Sequence, residues 1–268
     1  MTAISISPED ALAQMRTFPG PQIVDVRRDA AYAAAETSLP GALRRDHDAV
    51  TGWADGLEPH RSIIAVCVHG HEISQAVAAD LSARGLQARY LAGGIGEWTT
   101  LGLPMAGKPA RPSVWVTRER PKVDRVACPW LLRRFVDPDA RILYVAPGDV
   151  ARVAAEAGGT AFDIPGAPYT HDGDKCSFDA FVERHRPHDP ALARLATIVR
   201  GADTERPDLH SASGGLFASA LGMSVLFGAD DRATLRHAMV LYDALYLWCR
   251  DAQQEVHRWP PAMSSAAA

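Results

Sequence analysis

Cysteine is scarce in this chain and thinly spread. The four cysteines, at positions 67, 128, 176 and 249 of 268 residues, form no C-x-x-C pair. That spacing excludes a disulfide framework and a zinc ribbon, and it points to a reducing, cytoplasmic setting. No uncharged apolar run reaches the length that spans a bilayer, so no membrane partner is expected. The first ten residues, Met1 to Asp10, hold neither a basic stretch nor an apolar core of the kind that directs export. An excess of positive charge is missing too: 28 Lys and Arg stand against 32 Asp and Glu, a net charge of −4. Nucleic acid is therefore not an expected partner. What remains, 47% hydrophobic and 22% charged residues, suits a globular protein long enough for two domains with separate cores.

The most informative stretch runs from Cys67 to Leu81. Ahead of it, Ser62-Ile-Ile-Ala-Val66 is a short β-branched apolar run, the pattern of a buried parallel strand. Behind it, Ile73, Val77 and Leu81 recur at helical spacing. Cys67 thus ends a strand and opens a loop of Val68, His69, Gly70, His71, Glu72 and Ile73 that feeds a helix. Loop amides and a helix N-terminus converging on one spot favour an anion, and they favour the thiolate, which is the nucleophilic form. The bland alternative is a cysteine acting as a small buried hydrophobe.

Around this stretch, strands and helices alternate. Ser7-Pro8-Glu9-Asp10 caps a helix to about Arg16. Gln22 to Arg27 reads as a strand, Ala30 to Ala35 as a short helix and Asp46 to Gly56 as another. Arg89 to Leu91 is the last strand, and Glu97-Trp98 opens a final helical turn. The alternation predicts a small parallel α/β domain.

Ile23-Val-Asp-Val-Arg27, Leu39-Pro-Gly-Ala42, Cys67-Val-His-Gly70 and Leu91-Ala-Gly-Gly94-Ile-Gly-Glu-Trp98 resemble the successive signatures of a rhodanese domain, in order, over residues 1 to about 104. The resemblance implies a sulfurtransferase whose Cys67 carries sulfane sulfur as a persulfide. The sulfur would pass from a small anionic donor to a thiol or cyanide-like acceptor, with loop amides holding the anion. Loops of that family commonly carry an arginine five residues after the cysteine, followed by serine. Here Glu72 holds the arginine's place and Ser74 comes one residue late. A carboxylate at the rim of an anion site opposes a second anion, so thiosulfate is expected to bind poorly. The late serine hints at one extra loop residue and a wider pocket, as in the phosphatase and arsenate-reductase relatives of the fold; the absent arginine argues against phosphatase chemistry. His69 and His71 either assist the thiolate or are simply polar loop residues.

The proline-rich stretch ending at Pro112 reads as a linker. Beyond it, Ser113 to Thr117, Arg141 to Ala146 and Ala161 to Ile164 read as strands. Lys122 to Phe135 reads as a helix with Val126, Trp130, Leu131 and Phe135 on one face, and Asp149 to Ala157 as another. Helices are then expected over about 177–185, 189–200, 215–227 and 230–256. The last has a core-facing stripe of Leu235, Ala238, Met239, Tyr242, Leu245, Tyr246 and Cys249. Trp115 to Phe135, Thr170-His171 to Asp179 and Ile198 to Asp203 resemble successive blocks of the chromate-resistance (ChrB C-terminal-like) family, which is often joined to rhodanese domains. Arg200 stands where members often have histidine. Apart from that resemblance, His171, Asp172, Asp174 and Cys176 form a polar knot, with Asp124 and Asp203 at the ends of other elements. A site of His171, Asp124 and Asp203 suits Zn, Fe or Mn. Alternatively, the aspartates are caps and turn formers, and Asp124-Arg125 is a structural ion pair.

The expected fold is therefore α/β: a small parallel-sheet rhodanese-like domain (1–104), a linker (105–112), a mainly helical α+β domain of chromate-resistance type (113–258) and a tail (259–268). The expected function is a sulfurtransferase linked to a chromate or oxyanion-stress domain. The alternative is a metal- or oxyanion-binding stress-response or sensor protein that uses the rhodanese fold for recognition. A third reading is oxyanion reduction with Cys67 as the thiol.

Overall fold

The computed structural model describes residues 4–108, 112–186 and 188–254. It begins with β1 (Ile4–Ile6) and α1 (Pro8–Met15). Helix α1 starts at its sequence signals: the Ser7 side chain accepts from the Asp10 N–H, and Pro8 takes the first helical position. Then follow β2 (Gln22–Asp25), α2 (Asp29–Ala34), β3 (Thr37–Ser38), β4 (Leu43–Arg44), α3 (Val50–Trp53), β5 (Ile63–Val66), α4 (Glu72–Ala83), β6 (Ala88–Leu91), α5 (Gly94–Thr100) and β7 (Ala106–Gly107). Strands β1, β6, β5, β2 and β4 lie side by side in that order, all parallel. Every residue of the central strand β5 is buried, because helices cover both faces of a parallel sheet. Its side chains alternate between two cores. Ile63 and Ala65 join Val77 and Leu81 on one face, while Ile64 and Val66 join Leu91 and Trp98 on the other. The strand thereby delivers Cys67 to the carboxyl edge of the sheet.

Three details differ from expectation. The helix expected over 46–56 shrinks to α3 and a 3₁₀ turn at Ala54–Gly56. Asp46 takes the Asp48 N–H at 3.0 Å, a local turn that competes with helix formation. Helix α5 begins at Gly94 rather than Glu97, directly after Gly93 in a left-handed conformation. Within the expected linker, Ala106 and Gly107 pair antiparallel with β3; Pro109 to Arg111 lie outside the described residues.

The second half starts on β8 (Val114–Arg118), α6 (Val123–Leu131), β9 (Arg141–Val145), α7 (Val150–Glu156) and β10 (Thr160–Ala161). These strands form a parallel sheet in the order β10, β8, β9. Helices α8 (Ser177–His185), α9 (Pro190–Asp203), α10 (Ser213–Phe227) and α11 (Asp231–Asp251) complete it. Pro129 sits inside α6, which widens into a π turn over Leu132–Val136; proline removes one helical N–H, and the backbone relaxes around the gap. Strand β10 stops short of the expected 161–164 run, because Asp163 takes a φ of 55° that no strand tolerates. The α11 stripe is core, with Met239 and Cys249 fully buried. The expected tail lies outside the described residues. No helix among those described is long and apolar enough to cross a membrane. The fold is thus a small parallel α/β unit followed by a mainly helical α+β unit.

The two units are bolted together by charge and by one aromatic ring. Phe18, from the loop after α1, stacks on Phe135 with centroids 5.7 Å apart and packs against Tyr246 at 4.7 Å. Arg45 makes a two-pronged pair with Asp139, at 2.9 and 2.6 Å. Deepest lies Arg134, its side chain 2% exposed. It reaches Glu58 of the first unit and, at 2.8 Å, both oxygens of Asp243 on α11. Trp130 Nε1 also donates to Asp243 Oδ1 at 2.8 Å. Burial alone would raise the Asp243 pKa, but Arg134, His60 and Trp130 outweigh it and hold the carboxyl at about 2.

Since the folded pKa of Asp243 lies below its unfolded value, its contribution is fully present above about pH 4 and lost as the pH falls toward 2. The depression corresponds to about 2 kcal/mol. Urea midpoints should therefore drop across that window in the wild type and drop less in Asp243→Asn. Arg134→Ala, which strands two buried carboxylates, should cost about 3–5 kcal/mol at pH 7. A pH-independent midpoint, or an unchanged midpoint in Arg134→Ala, would remove this network from the stability of the protein.

Candidate functional site

Cys67 is 5% exposed, in a loop clamped against the turn between β6 and α5. The Ile95 N–H donates to the Cys67 carbonyl and the Gly96 N–H to the Val68 carbonyl, both at 2.9 Å. This approach demands glycine on both sides. A Cβ on Gly70 (φ 69°) would lie 2.4 Å from the Leu91 oxygen, and one on Gly94 (φ 61°) would lie 2.5 Å from the Cys67 oxygen. Gln75 Nε2 adds a bond to the Gly70 carbonyl at 3.0 Å. Ser74, buried at the third position of α4, sets its Oγ 3.1 Å from Cys67 Sγ. The sulfur therefore stands against the first turn of a 12-residue helix that no side chain caps. Its unpaired amides and positive dipole end favour negative charge there.

A cavity of about 210 Å³ lies beside the sulfur, lined by Cys67, Val68, His69, His71, Glu72 and Ile73, and by Arg27, Arg28 and Ala31. Of the sequence-predicted loop residues, only Gly70 is not on its wall, being the clamp beneath. Arg27 and Arg28 escaped sequence reasoning as members of this site, although the charged end of the strand at Arg27 was visible. Arg27 is buried with its charge matched: Nε donates to both oxygens of Asp25 at 3.0 Å and Nη2 to Oδ2 at 2.6 Å, and Ser38 Oγ donates to Asp25 at 2.7 Å. Arg28 is exposed and adds a positive charge to the cavity that carries Glu72. Glu72 itself is the acidic residue of the first turn of α4, a placement that the helix dipole favours for purely structural reasons as well.

The second constellation lies in the helical unit. His171 Nε2 stands 3.4 Å from Asp124 Oδ2, 3.4 Å from Asp163 Oδ1 and 3.3 Å from Asp203 Oδ2. Asp124 comes from the first turn of α6, Asp203 from the last residue of α9 and Asp163 from just beyond β10. The structure thus brings His171, Asp124 and Asp203 together and adds Asp163. Asp172 and Asp174 stay exposed, Asp172 closing a turn with Lys175. The suggested Asp124–Arg125 pair is replaced: Arg125 Nε lies 3.3 Å from Asp163 Oδ2, and Arg118 Nη2 donates to the same oxygen at 2.6 Å. Both guanidiniums answer the buried Asp163 carboxylate because its other oxygen already accepts from Ser177 Oγ at 2.9 Å. Burial, with Asp124 alongside, pushes Asp203 well above the usual carboxylate range, and the Asp124 carboxylate raises His171. Arg200 points elsewhere, pairing with Asp179 at 2.6 and 3.0 Å. Cys128 and Cys176 are fully buried, and burial pushes both thiols up. The one signal for Asp163 in the sequence is an aspartate between an apolar strand and Pro165-Gly166, a place where a turn is forced.

The family described as ChrB, C-terminal domain, matches residues 115–249, half of the chain, and the rhodanese-like domain matches residues 7–101. Protein ChrB of Cupriavidus metallidurans is 37% identical over 133 residues, which are 49% of this chain and 39% of that protein. The chain thus spans about two fifths of that relative. Among solved structures, a rhodanese-related protein from Thermoplasma volcanium aligns at 23% identity and a TM-score of 0.34, over 38% of this chain and 97% of its own. A rhodanese-like domain protein from Staphylococcus aureus aligns at 26% identity and a TM-score of 0.32, over 35% of this chain and 90% of its own. The chain belongs to the ChrB C-terminal-domain family and carries a rhodanese-like domain ahead of it.

Proposed function

Taking that membership as the premise, we propose that the chain is a sulfurtransferase in which Cys67 carries sulfane sulfur for a unit linked to chromate or oxyanion stress. One observation carries this reading: the Cys67 sulfur lies against the uncapped first turn of α4, beside a cavity that also holds Arg27 and Arg28. With thiosulfate as the donor, Glu72 on the cavity wall opposes the incoming charge. The Cys67 thiolate attacks the outer sulfur of the donor, the new S–S bond forms, and the old one breaks with sulfite leaving on its electron pair. A thiolate or cyanide acceptor then attacks the outer sulfur of the persulfide, and the Cys67 thiolate departs. No outside oxidant or reductant is needed.

Glu72 on the same cavity favours a second reading, a stress sensor whose rhodanese fold recognises a ligand without turning it over. The charge argument is the same in both readings. Glu72 sets a negative charge where the donor brings another, and Arg28 partly offsets it.

Incubation with thiosulfate or 3-mercaptopyruvate should add one sulfur atom to the intact mass of the wild type and none to Cys67→Ser. If the added sulfur persists in Cys67→Ser, or if neither donor loads the wild type, the transferase reading falls and the sensor reading stands.

Charge reversal gives an independent measurement. Glu72→Arg should raise thiosulfate turnover by about tenfold, a barrier change of about 1.4 kcal/mol. Arg28→Glu should lower it in the same sense, and both effects should shrink at high salt because both side chains are exposed. Equal rates in all three proteins would place these charges outside the donor's path.

A further inference from the structure

Four groups of acidic, histidine and cysteine side chains converge closely enough among the described residues to be weighed as ion sites, and two of them, Asp124 with Asp163 and His171 and Asp124 with Cys176 and Asp203, share Asp124 beside His171. The other two have an ordinary explanation. The Glu58, His60 and Asp243 group is already filled by the Arg134 guanidinium, and Asp46, His47 and Asp48 are neighbours on an exposed turn. The group around His171 is different.

Asp124 is 3% exposed, yet its Oδ2 accepts no hydrogen bond. A buried carboxylate oxygen without a partner is costly, commonly by several kcal/mol. This oxygen faces His171 Nε2 at 3.4 Å, and two further carboxylate oxygens stand 3.3 and 3.4 Å from the same nitrogen. A protonated imidazole serving as counter-ion would draw one carboxylate to about 2.7–2.9 Å and leave the others behind. Three near-equal separations fit another geometry. Ligands held at about 2.0–2.2 Å from a common ion stand roughly 2.8–3.6 Å from one another. The ligand atoms come from α6, from α9 and from the connection between β10 and α8, so they converge through the fold rather than through sequence proximity alone.

We propose that Asp124, Asp163, His171 and Asp203 form a binding site for one divalent first-row metal ion. Oxygen dominates the set, with a single imidazole, which suits Mn²⁺, Fe²⁺ or Zn²⁺ better than a soft ion. Asp163 is held from outside by Arg118, Arg125 and Ser177, the kind of support that fixes a ligating carboxylate. His171 is 43% exposed and borders a cavity of about 360 Å³ with Lys175, Cys176 and Arg184, which gives the ion a way in. The site is independent of the sulfur chemistry at Cys67.

The test uses the full chain, stripped by dialysis against a chelator and then equilibrated with Mn²⁺, Zn²⁺ or, without oxygen, Fe²⁺. At least one of these metals should bind at one equivalent per chain and raise the melting temperature. Asp124→Asn and His171→Ala should each weaken binding by about 10- to 100-fold or more, while Asp172→Asn and Asp174→Asn should leave it unchanged. His171→Ala removes a half-exposed side chain and should keep the wild-type circular dichroism, so that loss of metal in this variant reports the site and not the fold. Failure of all three metals to reach one equivalent would overturn the proposal. So would binding that survives both Asp124→Asn and His171→Ala, which would put the ion elsewhere.

Discussion

Arg134 brings one positive charge to a point where two buried carboxylates from separate units meet. Glu58 comes from the first unit and Asp243 from the last helix, and neither is solvated. Remove the guanidinium and, among the described residues, Glu58 keeps only Arg61 and His60, while Asp243 keeps only His60 and Trp130, so the two units are held in one relation by an electrostatic condition as well as by packing. The Phe18 ring, seated among Trp130, Phe135 and Tyr246, adds an apolar pin at the same junction. Rhodanese-like and ChrB C-terminal units therefore do not hang on a free tether in this chain.

The two candidate sites use opposite physics. At Cys67 the chain arranges positive potential at the sulfur: an uncapped helix start and glycines that let the loop close, with the exposed Arg28 at the cavity set against Glu72, while Arg27 is already matched by Asp25. At His171 it arranges negative potential: three carboxylates around one imidazole, two of them nearly sealed from water. Folding alone does not favour such a concentration of like charge. Burial, with Asp124 alongside, raises the Asp203 pKa, the Asp124 carboxylate raises that of His171, and Arg118 and Arg125 answer Asp163, so part of this charge is offset within the protein. A cation with two charges does the same work without protons.

Much of this was legible in the chain, and for physical reasons. Strand β5 and helix α4 announce themselves through an apolar run followed by a helical period, and Cys67 falls at their junction whatever the surroundings. Gly70 and Gly94 are readable only in part. Each looks like a turn residue, but the need for glycine comes from the close approach of two loops distant in sequence. Asp163 was hidden because a residue after an apolar strand looks like the end of that strand; its left-handed backbone, which turns the carboxylate toward His171, is imposed by the chain beyond it. Arg28 was hidden for a similar reason. Nothing local tells that the turn after β2 reaches the cavity beside Cys67. Pairings such as Arg45 with Asp139, separated by most of the first unit and the linker, leave no trace in composition or period.

All four cysteines are buried, so it is the surrounding charge that sets Cys67 apart from Cys128 and Cys176. Cys128 and Cys176 sit near the aspartate group, close enough that Cys176 Sγ belongs with Asp124 and Asp203 by distance. Yet neither is exposed, and both thiols are pushed up by burial first and by the carboxylates second. Cys176 is further occupied at the start of α8, where its backbone N–H donates to Asp179 Oδ2 at 3.0 Å and Arg200 clamps the same carboxylate. A thiol held protonated beside negative charge is a poor nucleophile and a reluctant ligand. The chain thereby separates its two chemistries. Sulfur exchange needs the thiol that faces positive potential, and ion binding needs the oxygens that lack it; the fold keeps the two apart by placing each at the end of a different sheet.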